Sequence, residues 1–219
     1  GQGINDNGLH KINKNKFYDI CLGGSGSYVV TIGAASNKKM KVTNNLFYDL
    51  QFLDNDDGII MGGGTRGPAT IISHNVFGTS SIEALNESSI QYPRLPVKCH
   101  GGKLEYNIAY KQTVAGGAAS FFTMNGGEAR YNITFGLAGA NSGNAPFAGT
   151  TDVTASVGNL TSDPLFKGTP DSALVGTDAS TNGYKLRGPT SPAFDAAIGS
   201  SDVTTAITGE GRDALDAAA

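Results

Sequence analysis

Charge is what this sequence has least of: Asp, Glu, Lys and Arg make up 16% of its 219 residues, against roughly a quarter in an ordinary soluble domain. That scarcity excludes a coiled coil, a basic nucleic-acid module and a charge-rich disordered tail. The net charge of −3 gives no electrostatic reason to expect a nucleic acid as partner. Long hydrophobic runs are missing too. No apolar stretch approaches the ~20 residues that a membrane helix needs, so membrane insertion is not expected. Nor does any segment carry the period of a long amphipathic helix, which removes the alternating βαβ architectures. Cysteine is down to Cys21 and Cys99; a disulfide in an oxidising compartment and two buried free thiols both stay open. The chain opens Gly-Gln-Gly, with neither Met nor the apolar stretch of a signal peptide, as a processed or excised piece would.

What is plentiful is glycine, 31 of 219 residues, about twice the usual share. Apolar residues at 39% are enough for a core. A repeat organises both. Asn15-Lys16-Phe17-Tyr18-Asp19 returns as Asn45-Leu46-Phe47-Tyr48-Asp49 and, in part, as Asn75-Val76-Phe77. Looser copies follow at Asn107-Ile108, Asn132-Ile133 and Asn159-Leu160, so that six Asn recur at steps of 30, 30, 32, 25 and 27 residues. Their neighbours recur with them. Lys16, Leu46, Val76, Ile108, Ile133 and Leu160 follow the Asn; Ile12, Val42, Ile72, Leu104, Ala129 and Ser156 lie three residues before it. Alternating stretches such as Met40-Lys41-Val42-Thr43 precede the Asn, and second runs such as Val29-Val30-Thr31-Ile32 and Val97-Lys98-Cys99-His100 end on glycine. Each repeat therefore reads as strand, Gly turn, strand, Asn corner and variable loop.

Short strands that return at this interval cannot bury a face alone, but stacked coil on coil they form a continuous core. The fold expected is an all-β parallel β-helix of about six to seven coils over residues 1–166. An irregular C-terminal segment, 167–219, would pack on it. Asn15, Asn45, Asn75, Asn107, Asn132 and Asn159 form its ladder, with Asn taking the left-handed corner conformation and bonding the neighbouring coil. Stacking sets like residues above one another, so like charges are expected to be avoided. Tyr18, Tyr48, Tyr110 and Phe135, each third after a ladder Asn, read as an aromatic row stacked within the fold or as an outward platform for sugar rings. Asp19 and Asp49 share a place in successive coils.

These residues resemble the right-handed parallel β-helix superfamily of pectate lyases over roughly residues 9–166. The tail segments Asp163-Pro164-Leu165-Phe166 and Ser191-Pro192-Ala193-Phe194-Asp195-Ala196 are similar to the closing part of many secreted bacterial β-helix proteins. Arg94-Leu95-Pro96-Val97-Lys98-Cys99 looks like the family's Arg-x-Pro-x-x-Arg segment, and Asp57-Gly58-Ile59-Ile60-Met61 resembles its Asp-Gly-Leu-Ile-Asp. The resemblance implies a base at Arg94. Met61 stands where the family's second calcium Asp would be, Cys99 where its second Arg would be, and Thr79-Ser80 replaces its Asp-Lys.

β-Elimination from a uronate needs its carboxylate neutralised and the C5 proton removed by a nearby base. Arg94, Lys98 and His100 are the catalytic candidates. Strand alternation puts Lys98 and His100 on one face, where they also fit as plain solvent-facing residues. Arg66 and Tyr92 are candidates for substrate contact or ordinary loop residues. Asp54, Asp56 and Asp57 form an oxygen-rich loop of the kind that recruits Ca²⁺ or simply closes a turn. The sequons at Asn86, Asn132 and Asn159 read as turns rather than glycosylation sites, and His10 and His74 suggest no zinc site. The functional expectation is an extracellular or cell-surface protein acting on an acidic polysaccharide, with a polysaccharide lyase as the enzymatic form. The alternatives are a structural solenoid that self-assembles through its ends and a glycan-binding module.

Overall fold

The computed structural model describes residues 10–24, 26–32, 40–54, 56–62, 70–78, 96–110, 121–136, 147–149, 153–166 and 191–192. Its elements are strands, wound as coils. The first coil holds β1 (His10–Asn13), β2 (Lys16–Phe17), β3 (Ile20–Leu22) and β4 (Tyr28–Ile32). The second repeats it with β5 (Met40–Thr43), β6 (Leu46–Phe47), β7 (Leu50–Phe52) and β8 (Gly58–Gly62). Next come β9 (Thr70–Ser73), β10 (Val76–Phe77) and β11 (Val97–His100), then β12 (Lys103–Glu105), β13 (Ile108–Tyr110) and β14 (Phe122–Asn125). The series ends with β15 (Gly127–Arg130), β16 (Ile133–Phe135), β17 (Phe147–Gly149) and β18 (Val153–Val157).

Corresponding strands pair in parallel from coil to coil. Sheet 1 runs β1-β5-β9-β12-β15-β18, sheet 2 runs β2-β6-β10-β13-β16, sheet 3 runs β4-β8-β11-β14-β17, and β3 pairs with β7. This is a parallel β-helix. The column three residues before each ladder Asn falls in register from Ile12 through Val42, Ile72, Leu104 and Ala129 to Ser156. Val42, Ile72 and Leu104 are fully buried in it. A two- or three-residue strand follows the Asn corner, where the sequence suggests a loop. Such strands are too short for periodicity to show, and only pairing with the next coil defines them.

The ladder is continuous. Asn45 Oδ1 accepts the Asn15 backbone N–H at 3.0 Å and its Nδ2–H at 3.2 Å, and Asn75 Oδ1 accepts the same pair from Asn45, each at 3.0 Å. Asn107 repeats this for Asn75, Asn132 for Asn107 and Asn159 for Asn132. The amide nitrogens also cap carbonyls in the coil before, as Asn75 Nδ2 does for Val42 O at 2.8 Å. Buried amides satisfied in this way cost little, whereas unsatisfied ones would cost several kcal/mol. Asn132 is wholly buried, which closes its sequon to glycosylation in the folded chain.

The left-handed corner lies one residue earlier than expected. Lys14, Asn44, His74, Tyr106 and Tyr131, each preceding a ladder Asn, have φ between 53° and 60°, and Gly158 has 66°. By turning there, the chain leaves the Asn N–H and amide aimed along the helix axis. The residues that turn there are Lys14, Asn44, the aromatic His74, Tyr106 and Tyr131, and Gly158, so no single residue type marks the corner. Asp19 and Asp49 make a second left-handed corner, at φ 54° and 52°, in equivalent places of the first two coils.

The interior holds Val42, Phe47, Ile60, Ile72, Phe77, Val97, Cys99, Leu104, Phe122 and Met124, among others. Phe17, Phe47 and Phe77 stack through it at 4.7 and 5.2 Å between ring centroids. The column immediately after the Asn is different. Val76, Ile108, Ile133 and Leu160 pack with Tyr110, Phe135 and Phe166 as a second cluster. In a two-residue strand one side chain must face out when its neighbour faces in, and Phe77 takes the inside. Phe166 meets Tyr110 edge-on at 5.1 Å. Its segment is shaped by Asp163 Oδ1, which accepts the Leu165 N–H at 2.9 Å, and tied by a hydrogen bond from Ser191 Oγ to Pro164 O. Apart from residues 191–192, the tail after 166 lies outside the described residues.

Of the aromatic row, Tyr18 stacks on Tyr48 at 5.2 Å and Tyr110 on Phe135 at 5.8 Å. Tyr48 and Tyr110 are buried, while Tyr18 is exposed. The expectation that like charges avoid each other is overturned in sheet 1: Lys11 and Lys41 are direct partners. Long, flexible, solvated stems let two ammonium groups splay apart, which makes the pairing tolerable.

Candidate functional site

Sheet 3 carries the strongest sequence candidates. Along β11, Val97 and Cys99 face the core with no exposure, and Lys98 and His100 alternate to the outside, half-buried. The outward row reads Thr31, Met61, Lys98 and Thr123 across four strands. Beside it, His100 lies against Asn125. Burial lowers the His100 pKa from its ordinary value, and the neighbouring Lys98 cation lowers it further. Both effects favour the neutral imidazole of His100. Its Nδ1 is 3.3 Å from the Asn125 side-chain amide nitrogen. When Nδ1 accepts from that amide, Nε2 carries the proton; when the amide is turned to present Oδ1, Nδ1–H donates and Nε2 keeps a free lone pair.

The chain turns sharply beyond His100. Gly101 and Gly102, at φ 73° and 77°, lead straight into Lys103 of sheet 1. A Cβ on Gly102 would lie 2.0 Å from the Thr70 carbonyl oxygen, and one on Gly127 would lie 2.3 Å from the Gly102 carbonyl oxygen. Backbone stacks on backbone at this corner, so it admits only glycine.

Cys99, aligned with the second Arg of the lyase motif, is a core residue. Burial pushes its thiol pKa up to about 12, and its Sγ lies 3.0 Å from Gly101 O as a hydrogen-bond donor. A side chain at that position faces away from any ligand on sheet 3. Cys99 and Cys21 are both free thiols, the first buried and the second exposed.

The Asp54–Asp57 segment is engaged as a turn. Asp54 Oδ1 accepts the Asp56 N–H at 2.9 Å, and Asp54 O accepts the Asp57 N–H at 3.3 Å. Asp57 is buried and its Oδ1 accepts the Ser27 N–H of the preceding coil at 2.7 Å. Its Oδ2 is buried without a hydrogen-bond partner. Burial, and after it the charges of Asp56 and Asp57, push the Tyr28 phenol pKa up. Among the described residues no three His, Cys, Asp or Glu side chains converge to hold a metal ion. One carboxylate oxygen each of Asp54 and Asp57 is taken by a backbone N–H, and Asp56 is exposed.

Arg66, Tyr92 and Arg94 lie outside the described residues, as do Asn86 and the Thr79-Ser80 pair. Lys98 and His100 are thus brought together, and the Asp54–Asp57 loop is a corner of the second coil leading into β8, one strand away from β11 in sheet 3.

Sequence reasoning missed a column outside the ladder. His74 stacks on Tyr106 at 4.9 Å and Tyr106 on Tyr131 at 5.2 Å. A Cβ on Gly158 would meet the Tyr131 ring at 2.3 Å. Each member precedes a ladder Asn, and that shared offset was the available signal. Also missed was the lysine row of sheet 1. No helix among the described residues is long and apolar enough to cross a membrane. No protein-family model matches the chain, and neither does any curated protein or solved structure at a significant level.

Proposed function

We propose that this β-helix acts outside the cell on an acidic polysaccharide, as a pectate-lyase-like β-eliminase working from the outer face of sheet 3. The observation that carries the reading is the pairing of a cation and a neutral imidazole, Lys98 and His100, on one outward face of β11. A uronate carboxylate bound by Lys98 is neutralised, which acidifies the proton on C5. His100 Nε2, with Nδ1–H held by the turned Asn125 amide, takes that proton. The C5–H electron pair becomes the C4=C5 double bond, the C4–O4 bond breaks, and O4 leaves with a proton from solvent or from a neighbouring acid. A base of near-neutral pKa suits this step better than a guanidinium, which stays protonated.

Incubation with polygalacturonate and with alginate, with and without added Ca²⁺, tests the reading by the ultraviolet absorbance of the unsaturated product. Product that disappears in His100→Gln and falls in Lys98→Gln supports it. No product from any polyuronate sinks the enzymatic form. The structural alternative, assembly through the solenoid ends, is disfavoured at the end where the first coil lies: among the described residues that coil forms one edge of every sheet, and it bears exposed Lys11, Lys14 and Lys16. Lysine on an edge strand blocks pairing with another edge. Electron microscopy that finds regular fibres would reverse that preference.

A further inference from the structure

We propose that the outer face of sheet 1 is a second binding surface for a linear acidic polysaccharide, lined by Lys11, Lys41 and Lys103. It is built on a different sheet from Lys98 and His100 and shares with the reading above only the class of ligand. Elimination chemistry can fail while this surface stands.

Register places these lysines in one row. Lys11 partners Lys41, Lys41 partners Ile71, Ile71 partners Lys103 and Lys103 partners Glu128. At about 4.8 Å per strand step, the row presents cations at the first, second and fourth places along the helix axis. Lys11 and Lys103 are exposed and Lys41 is half-buried; Lys14 and Lys16, both exposed, flank the row at the Asn corner and on β2. Two acidic side chains of sheet 1 stand beside the lysines. Glu128 is paired with Arg130, Oε1 to Nη2 at 3.2 Å, and Glu105 is buried in the adjacent row.

Like charges set directly opposite each other on a sheet are destabilising, and packing does not require lysine here, because the same column carries Ile71 in the third coil. The chain as a whole is acidic, at −3, so a cationic row is a local departure rather than a reflection of composition. Lysine is a compact charge without the planar fork of arginine, which suits carboxylates or sulfates presented at varied angles. The repeat of the row is one strand step, close to the length of one sugar residue, so a chain laid along the axis offers an anion to each lysine in turn. The row has no outward aromatic side chains on which bases would stack, as single-stranded nucleic acid binding requires.

The test uses the full chain in the Lys98→Gln/His100→Gln background, so that sheet 3 does not contribute. Polygalacturonate is titrated by calorimetry at low and high salt, with neutral dextran and duplex DNA as comparisons. Binding to polygalacturonate that weakens with salt, and an affinity about tenfold lower once Lys11→Gln, Lys41→Gln and Lys103→Gln are added, are expected. Arginine at the same three positions should retain binding, which separates charge from any loss of fold. Dextran should not bind. The proposal is overturned if the double variant does not bind polygalacturonate, if the three Gln substitutions leave affinity unchanged, or if duplex DNA binds as tightly and loses as much.

Discussion

Asn107 Oδ1 accepts two hydrogen bonds from Asn75, one from its backbone N–H and one from its Nδ2, both at 3.0 Å. Because Asn75 in turn serves Asn45 in the same way, the ladder ties each coil directly to the next. Both residues are fully buried.

Asn75→Ala should therefore destabilise the fold by about 3 kcal/mol or more, since it orphans the Asn45 N–H, the Val42 carbonyl and half of the Asn107 acceptor. Asn15→Ala, at the exposed end of the ladder, should cost less than about 1 kcal/mol. Urea unfolding of the two variants measures the contrast, and equal costs would mean that the ladder is not a buried network.

At the corner between sheets 3 and 1, Gly102→Ala should be among the most damaging single substitutions. Its Cβ would fall 2.0 Å from the Thr70 carbonyl oxygen, a backbone atom that cannot swing aside. A cost of at least about 3 kcal/mol is expected, from steric clash added to left-handed strain. Gly26→Ala is the control: φ is +80° there as well, but nothing lies within 4 Å of its Cβ, so only the strain of about 1–2 kcal/mol remains. Thermal melts of both proteins separate space from conformation.

The ladder was legible because one residue type does one job at every coil, and the column from Val42 to Ala129 because the interior repeats its demand for apolar side chains. The corner before each Asn was not. Lys14, Asn44, His74, Tyr106 and Tyr131 share a backbone conformation, but Lys14 and Asn44 interrupt the chemistry of the stacked rings His74, Tyr106 and Tyr131, so no one residue type marks the corner. The column from Val76 to Leu160 belongs to a second cluster, and its strands are too short for the sequence to declare which face is buried. At the candidate site, alternation along Val97-Lys98-Cys99-His100 predicted correctly which residues face out. The lysine row had a fixed offset too, since Lys11, Lys41 and Lys103 each stand four residues before a ladder Asn, but Ile71 and Glu128 interrupt it at the same offset and break the pattern.

Phe166 closes that second cluster, so Phe166→Ala should open it. The side chain is 4% exposed and packs on Tyr110, and truncation of a buried Phe costs about 3 kcal/mol or more. Val76, Ile108 and Ile133 would then be uncovered, and binding of an apolar fluorescent dye should rise while the far-ultraviolet β-sheet signal persists. A variant with unchanged dye binding would show that something other than Phe166 covers sheet 2.

The Lys98–His100 pair makes a prediction about protons that holds whether or not the protein is a lyase. Burial is the larger cause of the lowered His100 pKa and the Lys98 cation the smaller, so Lys98→Met should move the titration up, yet leave it below the ordinary histidine value near 6.5. Nuclear magnetic resonance of the imidazole Cε1–H against pH reads this directly, with His100→Gln identifying the resonance. Stability must follow the same sign. A depressed folded-state value means that the unfolded chain binds the proton first as pH falls, so folding is most favoured above the ordinary value and is progressively weakened down to the folded one. Removing Lys98 narrows that window, and the melting temperature of Lys98→Met should decline less between neutral and mildly acidic pH than that of the parent. An unmoved His100 titration would mean that Lys98 points its charge elsewhere, and the paired cation and base proposed for sheet 3 would lose their electrostatic contact.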